Sequence, residues 1–115
     1  MSAHPDHAWK ILTGAQKDSL LAEGIFHGSP IDLADGYIHL SAEAQVAGTL
    51  DKYFAEQSGL WLARVDLIGL GASVRWERSR GDALFPHIYA PLPLCAVTAL
   101  GPLQRAPDGT ITYPV

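Results

Sequence analysis

A single cysteine, Cys95, stands in the chain of 115 residues, which excludes an intramolecular disulfide framework and any metal centre built from several thiolates. No segment approaches the roughly 18 consecutive apolar residues that a membrane-crossing helix requires. The stretch from Met1 to Ala8 lacks the basic region and apolar run of a secretion signal, so the expectation is a cytoplasmic protein outside the membrane. Positive charge is not in excess: 8 Lys and Arg face 12 Asp and Glu, a formal −4. An extended nucleic-acid surface is therefore not expected, although a small basic pocket remains compatible with that balance. Also missing are a Gly-rich phosphate loop with its lysine, a Gly-x-Ser-x-Gly elbow, paired-cysteine metal motifs, a His-Glu-x-x-His helix and internal repeats.

What is present is a composition of 48% hydrophobic and 17% charged residues, the balance of one packed domain. A single domain over 1–115 is expected, with residues 1–7 as a flexible N-terminal tail in which His4 and His7 meet solvent. Such a chain is short for a separate cofactor-binding lobe, so any site must lie in the seam of one small core.

Ala8 to Leu12 reads as a strand, and Thr13 to Gln16 has capping-box spacing at the start of a short helix with Leu20 and Leu21 as its apolar stripe and Gly24 as its end. Ser29-Pro30-Ile31-Asp32 repeats the start signal before Asp35-Gly36 stops the helix. Tyr37 to Leu40 reads as a second strand leading into Ser41, the expected cap of the longest helix, Ala42 to Gln57. In that helix Val46, Ala47, Leu50, Tyr53 and Phe54 recur at helical spacing as a core stripe. Three strands follow: Leu60 to Asp66, Val74 to Arg78, and Leu94 to Leu100, the last carrying Cys95 as an inert core thiol. Pro107-Asp108-Gly109 predicts a turn that folds the tail back on the preceding strand. Helices early and strands late predict an α+β protein with a curved, mixed or antiparallel sheet.

Three constellations carry chemistry. His39 and Ser41 sit where a strand is expected to enter a helix N-terminus, an anion-binding arrangement, with Gln45 one turn further on. His87 and Tyr89 share a side if the segment after Pro86 is extended, a common way to grip a planar ligand in a loop. Arg75 and Glu77 emerge from one strand face, where a carboxylate suits a ribose hydroxyl or a developing cation. Each set also suits a plain structural role, as cap, core closure or inter-strand pair. His27, His39 and His87 with Asp66 or Glu77 fix no common geometry, so no metal is expected.

Gly28-Ser29-Pro30, Asp35 through Ser41, Glu43 to Val46, Arg75-Trp76-Glu77 and Leu84 through Tyr89 together resemble the bacterial domain-of-unknown-function family 952, across about Trp9 to Val97. The resemblance implies a compact ADP-ribosylation-like fold with a split sheet and a few short helices. That scaffold binds NAD in ADP-ribosyltransferase toxins and in the transferase that removes an RNA 2′-phosphate. It implies a cleft lined by His39, Ser41, Glu77, His87 and Tyr89. The family brings no established reaction, and the Ser-Thr-Ser run and Glu-x-Glu of the transferases are absent. Phe26-His27-Gly28-Ser29 is similar to their nicotinamide-ribose motif, but falls between two expected helices.

The resulting expectation is a cleft for an NAD-like or other phosphorylated nucleotide, with no cofactor fixed by the residues. Glycosyl or phosphate transfer would place Glu77 and His87 in catalysis and His39, Ser41, Gln45 and Tyr89 in binding. The alternative is a non-catalytic small-ligand or regulatory module. Oligomeric state is left open.

Overall fold

The computed structural model describes residues 4–79 and 82–114; Arg80 and Gly81 lie outside them. The two early helices begin where short-range chemistry places them. Thr13 Oγ1 accepts from the Gln16 amide at 3.1 Å while Gln16 Oε1 accepts from the Thr13 amide at 3.0 Å, which opens helix α1 (Gly14–Glu23). Gly24, at φ 74°, closes it in the left-handed region where a Cβ is unfavourable. Ser29 and Asp32 exchange the same pair of bonds at the start of α2 (Pro30–Asp35). Its exit is Gly36 at φ 88°.

Strands β1 (His7–Leu12), β4 (Trp61–Asp66) and β8 (Val97–Pro102) form one three-stranded sheet in that order, all antiparallel. Period-two alternation sends Ala8, Leu12, Ala63 and Val65 into one core and Trp9, Ile11 and Leu62 into another. The sheet is therefore covered on both faces. The larger core also takes Leu20 of α1 and Phe26 of β2 (Ile25–Phe26), a strand that pairs with β7 (Leu92–Pro93). The smaller one is covered by α3 (Val46–Tyr53) through Val46 and Leu50, and by Ile111 and Tyr113 of the C-terminal segment.

A second three-stranded sheet, ordered β3 (Ile38–His39), β6 (Leu84–Ile88), β5 (Val74–Arg78), is also antiparallel throughout. Ile38, Ile88 and Val74 are cross-strand partners and turn towards the larger core. Just past β3, Ser41 forms an isolated bridge to Trp9, with amide–carbonyl bonds of 2.9 and 2.8 Å, and this joins the two sheets at their edges. The architecture is α+β with several small antiparallel sheets and few short helices; no parallel pairing occurs among the described residues. No helix among them is long and apolar enough to cross a membrane.

Several expectations are corrected. The helix expected over Ala42 to Gln57 is a short 3-10 turn, Glu43–Gln45, followed by α3. Ser41 does not cap it, because the bridge to Trp9 uses its backbone and its buried hydroxyl pairs with Thr49 Oγ1 at 2.9 Å. Gln45 closes the turn instead, its Oε1 accepting from the Ala42 amide at 2.9 Å. Tyr53 and, in α1, Leu21 are exposed rather than core, so both helical stripes are narrower than their apolar sequence. Leu94–Ala96 forms a 3-10 turn before β8, which leaves the Cys95 thiol exposed. The tail hairpin pairs β9 (Gln104–Arg105) with β10 (Ile111–Thr112) and not with β8. Within the expected N-terminal tail, His7 opens β1 and the His4 ring stacks on Trp76 at 4.4 Å.

Gly28 joins β2 to α2 at φ 129°, and a Cβ there would meet Asp32 Cβ at 2.9 Å. Gly28→Ala is expected to cost about 1–3 kcal/mol in urea unfolding, from backbone strain together with the displaced Asp32. A loss indistinguishable from zero would show that the β2–α2 junction relaxes freely.

Candidate functional site

The candidate site is the outer face of the second sheet. His39, His87 and Arg75 are direct cross-strand partners, and neighbours two residues away along each strand share their face: Tyr37, Tyr89 and Glu77. The rings gather closely. Tyr37 lies 4.2 Å from His87, 4.7 Å from His39 and 5.1 Å from Tyr89, centroid to centroid, and the His39 ring meets His87 edge-on at 5.3 Å. The Arg75 guanidinium lies over Tyr89, 4.7 Å from its ring centre.

Glu77 ties this group together. Its Oε1 faces His87 Nδ1 at 2.8 Å and accepts from the Tyr89 hydroxyl at 2.7 Å. Those two bonds, the tyrosine's first, hold the Glu77 carboxyl below its usual range, and the same carboxylate pushes the Tyr89 phenol up. An ionised carboxylate only accepts, so His87 Nδ1 carries a proton towards it. Glu77 Oε2 accepts no hydrogen bond from the described residues.

Behind His39 lies a buried polar hub. Asp32, 2% exposed, accepts from Lys10 Nζ at 2.9 Å and the Ser29 amide at 2.9 Å on one oxygen. Its other oxygen takes the His39 amide at 3.1 Å and lies 2.6 Å from His39 Nδ1. Lys10 Nζ also donates to the His39 carbonyl at 2.9 Å. Burial opposes the charge on Asp32, but His39, Lys10 and the Ser29 amide outweigh it and hold the carboxyl well below the carboxylate range. Burial pushes the Lys10 ammonium the other way, downward, with Asp32 pulling it back. His39 Nε2 faces Asp35 Oδ2 at 3.0 Å, so each ring nitrogen has a carboxylate partner.

Four of the six anticipated site residues, His39, Glu77, His87 and Tyr89, are thus brought together. Ser41 and Gln45 are not: the serine hydroxyl turns to Thr49, and Gln45 Nε2 donates to the Leu84 carbonyl at 2.8 Å. Ser41 caps no helix, so its hydroxyl does not take part in the anion site expected at a helix N-terminus there. Asp32, Lys10, Tyr37 and Asp35 were not anticipated. Strand alternation from His39 points to Tyr37, whereas Asp32 reads locally as a capping residue and Lys10 as a polar interruption of an apolar strand. Among the described residues no group of three His, Cys, Asp or Glu side chains converges in a way that would hold a metal ion.

Fold and site together define a small α+β protein with a polar, ring-lined sheet face. The chain belongs to the family described as "Protein of unknown function (DUF952)", whose sequence model matches residues 11–100. It is similar to protein CC0527 from Caulobacter crescentus, whose crystal structure shares 44% identity over 92% of this chain and 93% of that one, with a TM-score of 0.84. The solution structure of CC0527 shares 44% identity over 93% of this chain and 91% of that chain, with a TM-score of 0.79. No curated protein matches the chain.

Proposed function

We propose that the outer face of the β3–β6–β5 sheet binds a small ligand that joins a planar ring to a hydroxyl-bearing sugar, an NAD-like nucleotide in the first instance. The observation that carries this is the convergence of His39, His87, Tyr89 and Glu77, from three separated segments, around one set of stacked rings. Planar walls favour a flat, electron-poor ring. Glu77 Oε2, which accepts from none of the described residues, suits a ribose hydroxyl or a developing positive charge. Arg75, exposed at the rim, supplies the cation for a phosphate in place of Ser41. Two small antiparallel sheets joined at an edge support placing the chain on the ADP-ribosylation scaffold.

If the site turns its ligand over, the reaction is glycosyl transfer, with the Glu77 carboxylate stabilising oxocarbenium character. A non-catalytic binding module is favoured by one observation: Glu77 already accepts from both His87 and Tyr89, a fixed arrangement that suits recognition. Calorimetric titration with NAD, ADP-ribose and inorganic phosphate tests both readings. Glu77→Gln keeps acceptors for Tyr89 and His87 but removes the charge, and is expected to weaken NAD or ADP-ribose at least tenfold, about 1.4 kcal/mol. Nicotinamide release by the wild type marks the transferase; saturable binding without release marks the module. No binding, or binding indifferent to Glu77→Gln, overturns the site.

A further inference from the structure

One ring of the cluster is held differently from the others. His39 is bonded to Asp32 and Asp35, and both His87 and Tyr89 to Glu77. The Tyr37 hydroxyl makes no hydrogen bond among the described residues, although the charges of Asp35 and Glu77 both reach it. Burial, and then those two carboxylates, push its phenol up, so the hydroxyl stays neutral. Tyr37 is half-buried, follows the left-handed Gly36 at the end of α2, and packs its side chain by ring contacts. Its neighbour His87 is 2% exposed, and His87 Nε2 is a buried polar atom without a partner among the described residues. Such an atom is costly and uncommon in a finished core.

We propose that Tyr37 is a displaceable plug: its ring, stacked on His87, occupies the seat that a ligand's planar ring takes when the site is filled. This rests on the reading above that the sheet face is a ligand site, and it narrows the ligand class. The three fixed walls are His39, His87 and Tyr89. The carboxylates of Asp35 and Glu77 both act on this seat, so the ring that replaces Tyr37 bears hydrogen-bond donors, as a carboxamide or amino group does. A ring bearing a carboxylate is repelled by the same groups. The plug makes apparent affinity lower than the seat itself would give, because the binding-competent state is only a fraction of the free protein.

The test uses Tyr37→Ala and Tyr37→Phe, each first shown to unfold cooperatively, with nicotinamide and nicotinate as probes. Diethyl pyrocarbonate modification of His87, read by peptide mass spectrometry, reports the seat without any ligand. Tyr37→Ala is expected to bind nicotinamide at least tenfold more tightly than the wild type, while Tyr37→Phe matches the wild type because the lost hydroxyl bonds to none of the described residues. Nicotinate binds less tightly than nicotinamide to all three. His87 is expected to be protected in the wild type and Tyr37→Phe and modified in Tyr37→Ala. Unchanged His87 reactivity together with unchanged or weaker nicotinamide binding in Tyr37→Ala overturns the plug. If His87 becomes reactive in Tyr37→Ala yet no variant binds NAD or nicotinamide, Tyr37 merely covers His87, and the plug falls together with the nucleotide reading. If the wild type binds NAD through Glu77 but Tyr37→Ala binds it more weakly, the nucleotide reading stands and Tyr37 is a fixed wall.

Discussion

Asp32→Asn is expected to lower folding stability at neutral pH by about 3–5 kcal/mol, a large part of what a domain of this size possesses. The asparagine keeps the shape but not the chemistry. Asp32 receives Lys10, Ser29 and both the amide and Nδ1 of His39, whereas an asparagine presents one accepting oxygen and an amide that can only donate. Lys10, buried in β1, is left without its counter-charge, and the remaining bond to the His39 carbonyl does not replace it. Removing both charges in Lys10→Met/Asp32→Asn is expected to recover part of the loss, because the buried ammonium is then gone. Urea unfolding of the two variants measures this, and a single-variant loss below about 1 kcal/mol would show that the hub is not electrostatically coupled.

The same carboxylate shapes the acid limb of stability. Its folded pKa lies below the unfolded one, so the unfolded state binds the proton more readily. The stabilisation is complete above the unfolded value of about 3.9 and is lost as pH falls through the folded one. The wild type should therefore lose stability below about pH 4 more steeply than Asp32→Asn. Parallel curves would assign the acid limb to other carboxylates.

How much was legible in the sequence follows the range of each interaction. The capping boxes at Thr13–Gln16 and Ser29–Asp32, and the glycine exits at Gly24 and Gly36, are settled within four residues and were readable as written. The span of β5 and the shared side of His87 and Tyr89 follow from simple alternation. Ser41 shows the opposite case. A serine before Glu43 has the local look of a helix cap, but Trp9, far back in the chain, claims its backbone and Thr49 its hydroxyl. Asp32 was readable as a cap and not as a hub, since Lys10 of β1, 22 residues away in the chain, and His39 of β3 reach it only in the folded molecule. Alternation brought half the site into view; the buried charges behind it depend on how the two sheets meet.

Ile88→Ala is expected to cost about 2–5 kcal/mol and to disturb the site from beneath. Ile88 is fully buried in the central strand of the second sheet, opposite Ile38 on one side and Val74 on the other. Its neighbours along the strand, His87 and Tyr89, point to the opposite face, where they form the ring walls. A void under β6 lets that strand sink towards the core, and only a partial collapse is possible in so small a domain. The outer face should register this as lengthened contacts between Tyr37, His39 and His87, seen as weaker cross-peaks between their ring protons. Thr98→Ala, on the exposed surface of β8, serves as the control and is expected to leave those cross-peaks unchanged. If Ile88→Ala lost stability while the ring contacts remained intact, the walls would be held by Glu77 and Asp32 alone. Loss of both together would mean that the apolar layer beneath the sheet sets the spacing in which a planar ligand must fit.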